Sequence, residues 1–316
     1  GKGSETEEEV VEIYLNELRN NINICRPVKL AIDCGNGAAS ILAKEAYESL
    51  GCEVKSIYST LDGNFPNHHP DPSKPENLKD LIEVVLNRKL EVGLAFDGDA
   101  DRLGVISSKG EIVYPDMQMI LFSRDVLSRN QECKIVFDVK CSKLLSDSIS
   151  KEGGIPLMSK TGHSFIKNTI AQESALLGGE MSGHIFFNDK WPGFDDAIYA
   201  GARMLEIISR QSAKDDIFLT LPKLVSTPEI NVKTTDEDKF KIVEDFKTLA
   251  DFPNSKTIEI DGIRVEFKTG WGLLRASNTT PNLVLRFEAD NQENLENIKT
   301  YFREVMSKLG PDLDNF

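Results

Sequence analysis

The sequence predicts an α/β fold: two mixed-sheet α/β domains followed by a smaller α+β domain with an antiparallel sheet. Short apolar strands alternate with amphipathic helices through the first part of the chain, as in sheets covered by helices. The last part instead runs helix, four strands and helix, the order of an α+β domain. A length of 316 residues allows two domains or three smaller ones. We expect domains at residues 1–107, 108–221 and 222–316.

The first domain begins with an acidic segment, residues 5–23, whose apolar residues recur at near-helical spacing and predict an amphipathic helix. Extended apolar runs and helical patterns then alternate. This order implies crossover connections and a parallel or mixed sheet. Strands are predicted at 28–33, 52–58 and 92–96, and helices at 38–50 and 75–88.

The other two domains are predicted from the same patterns, and Pro222 and Pro228 flank the junction between them. The second has predicted helices at 116–128, from 142, from 163 and at 194–211, and strands at 134–139, 155–159 and 176–179. The third has predicted helices at 236–250 and from 291, and strands at 256–260, 262–267, 271–277 and 283–289.

The net charge narrows the choice of partner. The chain has 37 lysines and arginines against 51 aspartates and glutamates, a formal charge of −14. Nucleic acid and anionic membranes bind basic surfaces, so we expect neither as the main partner. A single cationic pocket is compatible with this average.

The cysteines indicate a compartment. Five cysteines are scattered along the chain without a CxxC pair, which favours reduced thiols and predicts a cytoplasmic protein. No apolar run approaches the ~18–20 residues that a membrane-spanning helix needs.

The strongest chemical signal is the segment FDGDADR, which directly follows an apolar strand. Asp97, Asp99 and Asp101 stand at alternate positions and can converge on one hard cation, Mg²⁺ or Ca²⁺, through oxygen ligands. An EF-hand loop also begins this way, but Arg102 replaces its turn glycine and Ser108 its bidentate glutamate. A solvated acidic turn would not explain three like charges beside an apolar strand, so we expect a cation site.

Basic and polar side chains cluster in the second domain. The run KTGHSFIK (160–167), which includes His163, lies at a predicted strand-to-helix turn, where free backbone N–H groups and the helix dipole favour an anion. Lys140 follows the strand at 134–139 in the same orientation. A capped helix start would also explain either segment.

The loop GGEMSGH (178–184) places polar residues between glycines. Glu180 and Ser182 can hydrogen-bond to neighbouring hydroxyls, as sugar recognition requires. A hairpin turn would explain the glycines but not Glu180 beside His184.

The segment RASNTTP (275–281) lies between two predicted strands. The guanidinium of Arg275 can bind a phosphate bidentately, and hydroxyls and backbone N–H groups would complete a cradle. A Ser/Asn/Thr/Pro run is also typical of an ordinary loop, so the preceding arginine is the informative residue.

Two further segments have simpler explanations. GNGAAS (35–40) is half a dinucleotide fingerprint without the third glycine, and a left-handed glycine turn into a helix explains it better. FPNHHPDP (65–72) is stiffened by three prolines; its histidines could line a cleft, or the loop could be a rigid structural element.

Taken in order, these motifs resemble the α-D-phosphohexomutase family, most closely its bacterial phosphomannomutase/phosphoglucomutase branch. The resemblance implies that residues 1–107 are domain 2 with the metal-binding loop, 108–221 domain 3 with the sugar-binding loop, and 222–316 the phosphate-binding domain 4. The matching motifs are FPNHHPDPS (65–73), DGDADR (97–102), VKCS (139–142), KTGHSFIK (160–167), GEMSGH (179–184) and RASNTTP (275–281).

The resemblance also implies roles for the site residues. The ligands of Mg²⁺ would be Asp97, Asp99 and Asp101. Arg102 would lie near the transferring phosphate, and Lys140 and His163 would be candidates for proton transfer. Glu180 and Ser182 would contact sugar hydroxyls, with His184 lining the cleft. The residues that hold the non-reacting phosphate would be Arg275, Ser277, Asn278 and Thr279.

The implied enzyme is an intramolecular phosphotransferase, an isomerase of carbohydrate metabolism. It would interconvert hexose 1-phosphate and hexose 6-phosphate through the 1,6-bisphosphate. The methionine in GEMSGH favours glucose and mannose phosphates as substrates, and phosphoglucosamine mutase is the alternative within the family.

The sequence departs from the family in one respect. Family members begin with another domain, which carries a phosphorylated serine in a T-A-S-H-N-P-like loop, and this sequence has no such loop. We therefore expect domains 2–4 alone, which bind phosphohexose weakly without turning it over. A non-catalytic sugar-phosphate module that acts in trans with a separate serine domain, and a structural or regulatory relic, are the other classes.

Overall fold

The computed structural model describes residues 3–310, 313, 314 and 316 and arranges them around three sheets. Two of the sheets are mixed and the third is antiparallel, as the sequence predicts. The domain boundaries after residues 107 and 221 remain predictions. Among the described residues, none of the helices combines the length and the apolar character that a membrane span requires.

The first sheet has a parallel centre and an antiparallel edge. Its elements are α1 (Val11–Asn21), β1 (Lys29–Asp33), α2 (Ala39–Ser49), β2 (Glu53–Ile57), α3 (Lys79–Arg88), β3 (Val92–Phe96), β4 (Leu103–Ser107) and β5 (Ile112–Val113). The strand order is β2-β1-β3-β4-β5, with β1 parallel to both neighbours and β4 and β5 antiparallel.

The predicted first helix was too long at its start. Helix α1 begins at Val11, whereas the acidic residues 5–10 are exposed and non-helical. Like charges on adjacent turns repel, and this run has almost no apolar side chain to bury in compensation. A short 3₁₀ turn, Pro75–Leu78, likewise replaces the start of the helix predicted at 75–88.

The second sheet repeats the arrangement of the first. Its elements are α4 (Pro115–Leu127), β6 (Lys134–Asp138), α5 (Lys143–Lys151), β7 (Ile155–Ser159), α6 (His163–Glu173), β8 (Leu177–Gly179), β9 (Ile185–Phe187) and α7 (Ala197–Ser209). Strand β6 is parallel to β7 and β8, and β9 adds an antiparallel edge in the order β7-β6-β8-β9.

The third sheet is antiparallel throughout. Its elements are β10 (Val225–Ser226), β11 (Ile230–Lys233), α8 (Asp238–Leu249), β12 (Lys256–Ile258), β13 (Ile263–Phe267), β14 (Gly270–Ala276), β15 (Asn282–Ala289) and α9 (Gln292–Met306). The order is β10-β15-β14-β13-β12, and β11 also pairs with β15.

Among the described residues, two large hydrophobic clusters organise the molecule. One runs through the first two sheets with α1, α2, α4, α5 and α7, and the other belongs to the third sheet with α8 and α9. Smaller clusters pack α3 against the first sheet and α6 against the second. Buried arginines join the third sheet to the second. Arg264 Nη1 donates to the carbonyls of Val139 and Cys141, each at 2.7 Å, and Arg286 forms an ion pair with Asp116 at 3.2 Å. Loops from all three domains can therefore meet beside the strand ends.

Candidate functional site

The turn between β3 and β4 gathers the three predicted metal ligands. Asp97 is buried at the end of β3, and its Oδ1 accepts the backbone N–H groups of Asp101 at 3.1 Å and Arg102 at 3.0 Å. One oxygen each from Asp97, Asp99 and Asp101 lies within 4.8 Å of the others. Three hard oxygen donors this close fit a cation such as Mg²⁺.

The carboxylates of this turn differ in proton affinity. Burial raises the pKa of Asp97 to about 6, even though the hydrogen bonds and charge of Arg102 act to lower it. Burial also acts to raise the pKa of Asp101, but the hydrogen bond and charge of His184 outweigh it and the net direction is downward. A divalent cation would favour the ionised form of both groups.

The glycine turn before α2 supports this metal loop. Gly35 and Asn36 have φ values of 50° and 58°, which confirms the predicted left-handed turn. The N–H of Ala38 donates to the carbonyl of Gly98 at 2.9 Å. A Cβ at Gly37 would lie 2.6 Å from that same carbonyl oxygen, so this position requires glycine.

Arg102 is held between two carboxylates. Its Nε forms an ion pair with Asp97, and its Nη1 donates to Asp71 at 3.2 Å. Asp71 belongs to the proline-rich loop, so that loop helps to orient the arginine. In the same loop, His68 Nε2 lies 3.0 Å from the buried carboxylate of Asp33, which favours a structural role for this histidine.

The predicted sugar loop lies between β8 and β9 and touches the metal loop. The N–H of Leu103 donates to the carbonyl of Gly183 at 3.1 Å, and Arg102 pairs with His184 in an antiparallel bridge. Glu180 is 2% exposed, which fits a carboxylate held in place by the loop rather than one free in solvent.

His184 connects the two loops electrostatically. Its Nε2 lies 3.3 Å from Asp101, and its Nδ1 lies 3.1 Å from Glu180 and 2.9 Å from the hydroxyl of Ser182. Burial acts to lower the pKa of His184, but Asp101 and Glu180 outweigh it and raise the pKa to about 9. An imidazolium therefore bridges the metal loop and the sugar loop near neutral pH.

His163 is the first residue of α6 and stacks on His184, with ring centroids 5.7 Å apart. Its side chain is 56% exposed, and its Nδ1 lies 3.6 Å from Asp195. Lys167 donates to the same carboxylate at 3.1 Å. Asp195 thus contacts both His163 and Lys167 of the predicted basic cluster.

Lys140 lies at the junction of the second and third domains. Its Nζ donates to Glu229 at 2.6 Å and lies 4.0 Å from Asp138, and its side chain is 8% exposed. Burial acts to lower the pKa of Lys140, but the charges of Asp138 and Glu229 outweigh it and raise the pKa. Lys140 therefore remains a cation, held by a carboxylate of the neighbouring domain.

The predicted phosphate loop forms the tight turn between β14 and β15. Arg275 is buried near the end of β14; its Nε donates to Asp261 at 2.9 Å. Its Nη2 is buried without a hydrogen-bond partner among the described residues. A buried, uncommitted guanidinium nitrogen is suited to an anionic ligand, because an unpaired buried donor is costly.

The rest of this loop is stabilised internally. The hydroxyl of Ser277 accepts the N–H groups of Thr279 at 3.4 Å and Thr280 at 3.2 Å. The side chain of Asn278 reaches the second domain and donates to the carbonyl of Thr161 at 3.3 Å. The exposed Asn278 and Thr279 can still turn polar groups toward a ligand.

A cavity of about 500 Å³ lies where the three domains meet. It is lined, among others, by Lys140, Met181, Ser182, Glu229 and Arg286. Its volume falls within the range of small-molecule sites.

The structure brings the metal loop, the sugar loop and His163 into one connected cluster and links the Arg275 loop to it through Thr161. Lys140 and Asn278 both form hydrogen bonds between the second and third domains. Sequence reasoning missed four carboxylates that orient these groups. They are Asp71, Asp195, Glu229 and Asp261. Only Asp71 lies inside one of the motifs, and nothing in the sequence pattern marks any of the four as a site residue.

Three close carboxylates, a polar loop between glycines and a buried arginine lie beside strand ends, and these are donor types that suit a phosphorylated sugar and a cation. Family models described as phosphoglucomutase/phosphomannomutase alpha/beta/alpha domain II, alpha/beta/alpha domain III and C-terminal domain match residues 12–110, 114–222 and 229–305. The chain belongs to the phosphoglucomutase/phosphomannomutase family.

Similar proteins support this placement. The chain is 52% identical over 314 residues to a phosphomannomutase/phosphoglucomutase of Pseudomonas syringae pv. tomato, covering 99% of the chain and 68% of that protein. It is 49% identical over 307 residues to a phosphoglucomutase of Neisseria gonorrhoeae, covering 96% and 67%. The crystal structure of a family protein from Burkholderia thailandensis matches with a TM-score of 0.94 and 45% identity, covering 98% of the chain and 67% of that structure.

Proposed function

We propose that this chain forms the metal-, sugar- and phosphate-binding part of a phosphohexose mutase that interconverts the 1-phosphate and 6-phosphate of glucose and mannose. The names of the relatives from Pseudomonas and Neisseria support this activity. The observation that carries it is the continuity of the site. Asp101, His184 and Glu180 link the proposed cation site to the proposed sugar loop. The turn at 161–162 then joins Glu180 to Asp261, which holds the buried Arg275.

The metal loop and its arginine would hold the transferring phosphoryl group. Asp97, Asp99 and Asp101 would bind Mg²⁺, which when bound neutralises charge on phosphate oxygens. Arg102 would add a planar cation beside it, and Asp71 fixes the direction of that guanidinium.

Glu180 and Ser182 would bind sugar hydroxyls, while Arg275, Ser277, Asn278 and Thr279 would hold the phosphate at the other end of the sugar. Because the 1- and 6-phosphates exchange places during the reaction, the Arg275 loop must accept either of them. A clamp that contacts only the phosphate group, and not the sugar, can accept the phosphate at either end.

The phosphoryl donor would be a phosphorylated serine outside these 316 residues, because no T-A-S-H-N-P-like loop occurs in this sequence. In the first transfer, the sugar hydroxyl oxygen would form a bond to phosphorus as the bond from phosphorus to the serine oxygen breaks. His163 would accept the hydroxyl proton and release it again, and the serine oxygen would take up one proton, so that the transfer consumes no net proton. The reverse transfer from the opposite end of the bisphosphate would restore the phosphoserine.

Of the two candidates for proton transfer, His163 is better suited than Lys140. Lys140 is held as a cation by Glu229 and Asp138, so it is suited to attract phosphate rather than to accept protons. His163 is exposed and oriented by Asp195, as a general base requires.

The activity is tested by a coupled assay of glucose 6-phosphate formation from glucose 1-phosphate, with Mg²⁺ and glucose 1,6-bisphosphate. We expect no turnover by the 316-residue chain alone and measurable turnover when a separately expressed phosphoserine domain of a close relative is added. Turnover by the chain alone would contradict the proposed donor. Failure to bind either phosphosugar would contradict the proposed site.

The cysteines bear on location. All five are free thiols, and Cys34, Cys52 and Cys141 are buried among apolar side chains. This is consistent with a reducing compartment, and we propose the cytoplasm.

A further inference from the structure

Asp261 lies between the elements that we assign to phosphate and to sugar binding. Its Oδ2 accepts the Nε–H of Arg275 at 2.9 Å and the backbone N–H of Thr161 at 3.1 Å. Thr161 belongs to the turn that precedes α6 in the second domain, 100 residues away in sequence. One carboxylate oxygen therefore joins the clamp of the third domain to a turn of the second.

The same turn continues to the sugar loop. The N–H of Gly162, the residue after Thr161, donates to Glu180 Oε1. Two consecutive backbone N–H groups thus bind two carboxylates, one beside the clamp and one in the sugar loop. These hydrogen bonds fix the distance between Arg275, which we assign to the phosphate, and Glu180, which we assign to the sugar hydroxyls.

The backbone is shaped to place Asp261 beside Arg275. Gly262 has a φ of +74°, and a Cβ there would lie 2.3 Å from the carbonyl oxygen of Leu274 and 2.7 Å from the Cα of Arg275. Only glycine permits this approach of two chain segments. The position of Asp261 is therefore built into the sheet rather than a chance surface contact.

A carboxylate beside a phosphate clamp does not serve affinity, because its charge opposes that of the phosphate. A role in orienting the Arg275 side chain explains the position of Asp261 better. The Arg275 side chain is 5% exposed, so its single plane of nitrogens must be aimed before ligand binds. Asp261 holds Nε and leaves Nη2 uncommitted among the described residues.

We infer that Asp261 is a positioning residue that sets the distance between the Arg275 clamp and Glu180, and so makes the site selective for sugar phosphates over inorganic phosphate. The inference rests on the proposed function, since it takes Arg275 as the phosphate ligand and Glu180 as the sugar ligand. A phosphohexose must span both groups. Inorganic phosphate bound at the clamp has no hydroxyls to place against Glu180, so its affinity should not depend on this distance.

The test is titration calorimetry of the 316-residue chain with glucose 6-phosphate and, separately, with inorganic phosphate. We expect Asp261→Ala to weaken binding of glucose 6-phosphate about tenfold or more and to change binding of inorganic phosphate less than about threefold. Asp261→Asn should stay within about threefold for both ligands, because its amide oxygen can still accept both N–H groups. The matched control Asp245→Ala removes an exposed carboxylate on α8 and should leave both affinities unchanged.

Equal losses for both ligands, or an unchanged affinity for glucose 6-phosphate, would overturn the inference. If Asp261→Ala does not fold, Asp261→Glu replaces it in the test. The longer side chain should shift Arg275 and weaken binding of glucose 6-phosphate more than binding of inorganic phosphate. An unchanged ratio of the two affinities would overturn the inference. If the wild-type chain binds neither ligand, the proposed function itself is refuted. This result differs from a failure of the inference alone, in which the wild-type chain binds glucose 6-phosphate but Asp261→Ala does not change the selectivity.

Discussion

At the scale of single residues, the three aspartates of the metal loop are not equivalent. Asp97 is buried and holds the loop through two backbone N–H groups and Arg102, whereas Asp99 is exposed. Asp101 faces His184 at 3.3 Å. The sequence pattern presents three equal ligands, but the fold assigns one of them a second, structural task.

Removing one carboxylate should therefore have a different effect at each position. We expect Asp99→Asn and Asp101→Asn to weaken Mg²⁺ binding about tenfold or more with the melting temperature nearly unchanged. Asp97→Ala should weaken Mg²⁺ binding and lower the melting temperature as well, because it leaves backbone and guanidinium donors unpaired. Calorimetry with Mg²⁺ and thermal melts measure both effects; wild-type Mg²⁺ affinity in all three variants would refute the metal assignment.

The clamp is tested by truncating Arg275. Arg275→Ala should weaken glucose 6-phosphate binding by about 1.5–3 kcal/mol, the scale of a hydrogen bond to a charged group. The matched control is Arg19→Ala on α1, which removes an arginine whose ion-pair partner Glu12 is exposed. A dissociation constant equal to that of the wild-type chain would show that Arg275 does not hold the phosphate.

At the residue scale, a motif allows roles to be proposed from the sequence, whereas isolated partners do not. DGDADR and RASNTTP concentrate unusual chemistry in a few positions, so their residues could be proposed as ligands. Asp261 and Glu229 stand alone in sequence and acquire a role only when another domain approaches. No local pattern contains that information.

At the scale of elements, the turn before α2 and the metal loop pack as one unit. The Cβ-free Gly37 lets the carbonyl of Gly98 approach, and that carbonyl accepts the N–H of Ala38. The segment resembles part of a dinucleotide fingerprint, yet its glycines serve contact with the neighbouring loop.

A methyl group at Gly37 should displace the metal loop, because it would collide with the carbonyl of Gly98. We expect Gly37→Ala to lower the free energy of unfolding by about 1–3 kcal/mol through overpacking and to weaken Mg²⁺ binding in parallel. Gly63→Ala is the control, because a Cβ there meets no atom within 4 Å. Urea unfolding measures the stability of both variants, and Mg²⁺ titration measures their affinity. Equal stability and equal Mg²⁺ affinity of Gly37→Ala and Gly63→Ala would contradict this explanation.

Several antiparallel strands were not predicted from the sequence patterns, namely β4, β5, β9, β10 and β11. Strands β4 and β9 each follow a site loop directly, so polar ligands interrupt the hydrophobic pattern on one side. Strand β9 has only three residues, too few to display a period. The parallel strands β1, β3 and β6 adjoin helices in the alternating order of an α/β domain, and these were predicted.

At the scale of the whole molecule, a buried ion-pair network stabilises helices of the hydrophobic cluster that runs through the first two sheets. Arg203 is fully buried between Asp125 at 3.0 Å and Asp189 at 2.7 Å. Asp125 also receives hydrogen bonds from Arg129 and Arg210. Burial acts to raise the pKa of Asp125, but these three arginines outweigh it and hold the pKa well below the usual range.

Breaking this network should cost stability in a pH-dependent way. We expect Asp125→Asn to lower the free energy of unfolding at pH 7 by about 1.5–3 kcal/mol, because three arginines lose a shared carboxylate although Arg203 keeps Asp189. A carboxyl group with a depressed folded pKa stabilises above its unfolded pKa of about 3.9 and loses that contribution as pH falls toward the folded value. The gap between wild type and variant should therefore shrink by about 1 kcal/mol between pH 7 and pH 3. Urea unfolding at both pH values measures the gap, and a constant gap would contradict the assigned pKa direction.

The docking of the third domain illustrates what the sequence could not predict at this scale. Arg264 is 1% exposed and stacks over Trp271 at 3.8 Å while it donates to carbonyls of the second domain. A strand arginine in isolation predicts an exposed side chain. Its burial follows only from the meeting of two independently predicted sheets.

We propose that one site, built from three domains, accepts a phosphohexose in either direction. Competition calorimetry tests it most directly: the chain is saturated with glucose 1-phosphate in the presence of Mg²⁺ and then titrated with glucose 6-phosphate. We predict one molecule of either sugar phosphate bound per chain, complete mutual displacement, and parallel weakening of both by Arg275→Ala. Independent binding of the two sugar phosphates, or weakening of only one of them by Arg275→Ala, would contradict the claim.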